Sequence, residues 1–240
     1  MNKIYNTFFD ETYYTDKLPN GLEVIIFHKP DFLTTACAFG TRYGALDINQ
    51  RFNNKDYHFS PGIAHFLEHK LFECEEKDIF ASFSNLGCNV NAFTSYTETV
   101  YYFNTTNSDI KEPLNLLMDF VQDLSITKES VEKEKGIIIQ ELSMYLQNAD
   151  NRLIDETYKS LYHEHPLKYD IGGDKYTVSG ITKEELEECY SFNYHPSNMA
   201  LVVVSPLDPS MIFNIIKDNQ AKKNFSLVDV PTNINKAKHA

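Results

Sequence analysis

Gly62-Ile63-Ala64-His65-Phe66-Leu67-Glu68-His69-Lys70-Leu71-Phe72 is the stretch on which the reading of this chain turns. Pro61 sets the backbone angle of a first helical turn and Ser60 is a candidate N-cap, so a helix is expected over roughly 62–73. Each helical residue turns by about 100°, which puts His65 and His69 about 40° apart on one face. Two imidazoles so placed can share a metal ion. Glu68 stands about 60° to the side of His65, where it can reach a water on that metal without binding the metal itself. A hydrolytic zinc site divides its labour this way: protein donors hold the ion, one position stays open to water, and a free carboxylate takes the proton. A histidine pair in this HxxEH arrangement is expected by accident only about 0.02 times in a chain of this composition. The competing reading is two surface histidines on a solvated helix.

Such a site needs a third protein ligand. The best source is a longer helix over about 128–148, which carries Glu132-Lys133-Glu134-Lys135-Gly136-Ile137-Ile138-Ile139-Gln140-Glu141. Glu134 and Glu141 are two turns apart on one face. Glu141 follows three isoleucines, so it is expected where the helix is partly buried. A carboxylate there needs a partner, and a metal can be one. Glu134 would then orient a ligand from behind. The alternative is a charged outer face with Glu–Lys pairs, which suits Glu132 and Lys133 better.

Around these helices the pattern is mixed. Pro19-Asn20-Gly21 reads as a turn before a strand from Leu22 to Phe27, and 33–41 as a second strand. Gly44 to Pro61 is polar and reads as an exposed loop. Asp78 to Leu86 fits a helix stopped by Gly87, and 88–95 and 99–105 alternate like two strands. Further helices are expected at 109–123, at Leu153 to Tyr162, after Thr182 with Glu185 in capping-box register, and from Pro209. Residues 165–180 read as irregular, and Asn198 to Val204 as a late strand. Strands early and late with helices between them predict an α+β fold: a two-layer, mixed but mostly antiparallel sheet with helices packed on one face.

The chain has 240 residues, 17 Phe, 15 Tyr and a formal net charge of -12. That composition supports a real core and argues against nucleic-acid backbone or anionic membrane as a partner. Four cysteines without CxxC spacing suit free, buried thiols in a reducing compartment. No signal-like or membrane-spanning apolar run is present, so a cytoplasmic location is expected.

Five motifs in order give the chain its likeness. Leu18-Pro19-Asn20-Gly21-Leu22, the Gly62–Phe72 helix, Asn91-Ala92-Phe93-Thr94, the Glu134 and Glu141 pair, and Tyr194-His195-Pro196-Ser197-Asn198-Met199 resemble the insulinase/pitrilysin zinc peptidases, the inverzincins, over about residues 14–225. Within that family the likeness is to the uncharacterised insulinase-like proteins of Gram-positive genomes. The resemblance implies a domain like that of the mitochondrial processing peptidases, Zn2+ bound by His65, His69 and Glu141, Glu68 as the general base, and Glu134 in support. It implies a peptide substrate laid as an added strand beside Asn91, Ala92, Phe93 and Thr94, with Asn91 touching the scissile carbonyl and Ala92 offering a backbone acceptor.

Departures accompany the likeness. Residues 47–58 look inserted, and Val204-Ser205-Pro206-Leu207-Asp208 replaces a usual glycine-aspartate. Family members pair two halves of two domains each, so residues 1–225 are expected to form an N-terminal zinc-binding domain and 226–240 a linker or artificial end. The later domains, which supply an Arg and a Tyr to the site, would be missing. A second peptidase half or C-terminal domain is then the implied partner, in a homo- or heterodimer, and the domain alone should bind zinc but cleave poorly. The function implied is a zinc metalloendopeptidase. The alternative is a non-catalytic partner or scaffold subunit, and a further one is a small-molecule hydrolase such as a thioether-cleaving enzyme.

Overall fold

The computed structural model describes residues 1–73, 78–225 and 227–235. In chain order the strands and helices are β1 (Asn2–Asn6), β2 (Glu11–Lys17), β3 (Glu23–His28), β4 (Thr35–Thr41), β5 (Asn49–Phe52), β6 (Lys55–His58), α1 (Ile63–Leu71), α2 (Ile79–Asn85), β7 (Cys88–Thr94), β8 (Thr99–Thr105), α3 (Lys111–Val121), α4 (Lys128–Tyr145), α5 (Ala149–Leu161), α6 (Lys175–Gly180), α7 (Lys183–Asn193), β9 (Met199–Ser205), α8 (Pro209–Gln220) and β10 (Thr232–Asn233). Short 3-10 turns occupy Pro166–Lys168 and Pro196–Asn198.

Seven strands form the main sheet in the order β1-β2-β3-β9-β4-β8-β7. Every pairing is antiparallel except β3 with β9. The late strand β9, MALVVVS, is central, with its backbone paired to β3 on one edge and to β4 on the other. Alternate residues point to one face: Val24, Ile26, Leu201, Val203, Cys37, Phe39, Tyr101 and Phe103 are all buried. Helices α1, α3 and α8 pack on that face. Each fully buried side chain there contributes about 1.5–3 kcal/mol. The predicted α+β sheet with helices on one face is the observed architecture.

Several expectations need correction. The polar stretch 44–61 is not a loop, since β5 and β6 form a hairpin in it. Asn53 and Asn54 both have positive φ, at 49° and 61°, which is the backbone of a tight two-residue turn. Phe52 and Tyr57 pack on Phe192 of α7, with ring centroids 4.6 and 4.7 Å away. The tail comes back to this hairpin: β10 pairs with β5. The irregular 165–180 region contains α6, capped by Asp174. Thr182 does cap α7, but Glu185 turns away and accepts from the Ser60 N–H at 2.6 Å. Cys37, Cys88 and Cys189 are free and buried, while Cys74 lies outside the described residues.

Candidate metal centre

α1 divides its sequence between two faces. Ile63, Phe66, Leu67 and Leu71 are fully or nearly fully buried in the core, and His65, Glu68 and His69 fall on the half-buried side. Its N-cap is not Ser60 but Gly62, at φ 92° with no side-chain cap. A Cβ on Gly62 would lie 2.4 Å from the Gly172 carbonyl oxygen. Gly172 and Gly173 therefore let the 170–173 loop lie directly on the start of the helix. That loop is built: the Gly172 N–H donates to Asp170 Oδ1 at 2.8 Å, and burial raises the Asp170 pKa.

α4 packs beside α1 through Val131, Ile138 and Leu142. Those contacts leave Glu134 and Glu141 on the flank facing the histidines. One donor atom from each of His65, His69 and Glu141 lies within 4.8 Å of the others. His69 Nε2 is 3.4 Å from Glu141 Oε2, and His65 Nε2 is 3.9 Å from it. Two donors about 2.05 Å from one zinc at a tetrahedral angle sit about 3.3 Å apart, so the cluster is near ligand spacing. His65 Nδ1 is buried without a hydrogen-bond partner among the described residues. Burial, then the neighbouring His69, depress the His65 pKa to about 4, so the ring is a neutral donor. Two neutral-capable imidazoles and a carboxylate fit Zn2+, and no other such group occurs among the described residues.

Glu134 reaches the rear of His69. Its Oε1 lies 2.9 Å from His69 Nδ1, which leaves Nε2 turned toward Glu141. That hydrogen bond holds the Glu134 pKa below its ordinary value. For His69, burial alone would lower the pKa, but the bond to Glu134 and the charges of Glu134, Glu141 and Glu68 outweigh it and raise it. Glu68 stands outside the donor group. Burial raises its pKa, opposed by hydrogen bonds from Thr94.

These side chains line a cleft of about 550 Å³ together with Asn91, Ala92, Phe93 and Thr94. β7 forms one wall and is the sheet's edge, with no strand on its outer side among the described residues. Asn91 and Phe93 are exposed, and Asn91 Oδ1 accepts from the Ala92 N–H at 2.9 Å. Thr94 is turned inward: its Oγ1 donates to Glu68 Oε2 at 2.5 Å. Sequence reading missed Gly172 and the tyrosines 145, 158 and 169, which also line the cleft. The Gly-Gly pair was the one signal that could have marked that loop. His165 and His195 cap the 3-10 turns and stay outside the donor group.

The chain matches the family described as Insulinase (Peptidase family M16) over residues 51–175, and Peptidase M16 inactive domain over 180–238. It is 47% identical over 220 residues to YmfH of Bacillus subtilis, described as an uncharacterised zinc protease, covering 90% of this chain and 51% of that one. It is 30% identical to a protein described as a probable mitochondrial-processing peptidase subunit beta of Schizosaccharomyces pombe, over 78% of this chain and 40% of the other. Among solved structures, one described as an M16-like peptidase from Alicyclobacillus acidocaldarius superposes with a TM-score of 0.88 at 42% identity, covering 94% of this chain and 53% of that one. The chain spans about half the length of these relatives. It belongs to the insulinase family, peptidase family M16.

Proposed function

We propose that this chain carries the zinc site and general base of a metalloendopeptidase. His65, His69 and Glu141 hold Zn2+, Glu134 fixes His69 from behind, and Glu68 takes a proton from the attacking water. The observation that carries this reading is the place of Glu68: beside the donor group, outside it, and in the same cleft as the unpaired edge of β7. Zinc held by His65, His69 and Glu141 would supply Lewis acidity toward the scissile carbonyl and the water. Glu68, kept less acidic by burial, is suited to receive that proton and return it to the leaving amine.

The substrate lies as an added strand along β7, its backbone bonded to the free edge. Phe93 and Asn91 meet it at the surface. The remaining half of the length seen in relatives supplies the opposite wall, so this chain alone binds zinc and cleaves peptides weakly. Glu68→Gln in the full-length protein is expected to lower peptide hydrolysis by about 10²–10⁴-fold while zinc stays bound. Peptide hydrolysis at the unaltered rate in that variant would overturn the mechanism, and metal analysis of the same sample checks the ligand set.

A further inference from the structure

Thr94 belongs to the strand expected to meet substrate, yet its hydroxyl is already engaged. Oγ1 donates to Glu68 Oε2 at 2.5 Å, linking residues 26 positions apart on different elements. Thr94 is held firmly. It pairs with Thr99 across the β7–β8 hairpin. The turn beyond it is clamped by the 44–46 segment, where Ala45 N–H donates to Ser95 O and Leu46 N–H to Tyr96 O, both at 3.0 Å. Gly44 lies so close to that turn that a Cβ would fall 2.6 Å from the Tyr96–Thr97 backbone.

A glutamate has three side-chain torsions, and free rotation would spread its carboxylate over several positions. A donor fixed at one oxygen leaves the other oxygen aimed and free to accept a proton. His69 is treated the same way on its far side by Glu134. Glu68 and His69 of α1 are thus each steered by a residue from another element, as a preorganised site requires.

We propose that Thr94 is a positioning residue that fixes the carboxylate of Glu68, and that it does not contact the substrate. This rests on Glu68 being the base. The test uses the full-length protein with Thr94→Val, which keeps the β-branched shape but loses the hydroxyl, and Thr94→Ser, which keeps the hydroxyl. Thr94→Val is expected to lower kcat by about 10–100-fold with KM little changed and zinc content unaltered, and Thr94→Ser to recover most of the rate. Peptide binding is then measured in the Glu68→Gln background, where no turnover interferes. There Thr94→Val is expected to leave the peptide Kd unchanged. A weakened Kd in that background, or a raised KM with kcat intact, makes Thr94 a substrate contact and overturns the proposal. Equal loss in the Val and Ser variants overturns it as well, because the hydroxyl would then be irrelevant. Full activity of Glu68→Gln alone would instead remove the base itself, a result separable from either outcome.

Discussion

At the scale of single residues, His69 gathers the most charge. Glu134, Glu141 and Glu68 all act on one ring and raise its pKa against the effect of burial. The proposed zinc site needs the neutral ring, so in the metal-free protein zinc would compete with a proton at His69. Zinc affinity is therefore expected to fall as pH drops through the raised His69 pKa, and zinc binding below it to release a proton. Calorimetry in buffers of different ionisation enthalpy measures that release. His65 does not share this behaviour, since its pKa of about 4 leaves it neutral across the working range. Glu134→Gln leaves His69 without its charged support and is expected to weaken zinc binding about 10–100-fold, read by competition with a chromogenic chelator.

At the scale of elements, two glycines on the site's helices carry opposite expectations. Gly62 caps α1 at φ 92° with the Gly172 carbonyl where a Cβ would go. Gly62→Ala strains the backbone and displaces the 170–173 loop, and is expected to destabilise the fold by about 1–3 kcal/mol. Gly136 lies inside α4, exposed, and a Cβ added there would meet nothing within 4 Å. Gly136→Ala removes freedom from the unfolded chain without a clash and is expected to stabilise by about 0.5–1 kcal/mol. Urea unfolding of both variants gives the two signs.

The elements also show how far local pattern carries. The helical turn of 100° placed His65, Glu68 and His69 correctly on the open face of α1, because an amphipathic helix leaves one stripe out of the core. The β5–β6 hairpin escaped notice because its strands are short and polar, although Asn53-Asn54 is a turn pair able to adopt positive φ. What pins that hairpin is Phe192, 140 residues after Phe52 in sequence number, and no local signal announces such a partner.

At the scale of the whole molecule, the site is a seam between α1 and α4. Metal binding would tie the two helices together, and a ligand that binds only the folded chain stabilises it by mass action. With free zinc at 100 times its Kd the gain is about 2.7 kcal/mol. For a chain of this size that corresponds to a rise in Tm of roughly 5–10 °C, and removal of metal with a chelator should reverse it in a thermal scan. The cleft owes its shape to three distant segments: β7 on one side, α4 and α5 on another, and the 170–173 loop behind.

By itself the sequence determined that His65, Glu68 and His69 share one face of α1, that Glu134 and Glu141 share one face of α4, and the succession of strands and helices that makes an α+β sheet. These follow from periodicity and residue chemistry, which act over a few turns of chain. Only the tertiary structure decided that β9 enters between β3 and β4, that Glu141 comes within 3.4 Å of His69, that Gly172 closes on Gly62, and that Thr94 turns inward to Glu68. Those contacts join residues far apart in the chain, and their geometry is set by how the core packs rather than by any local preference.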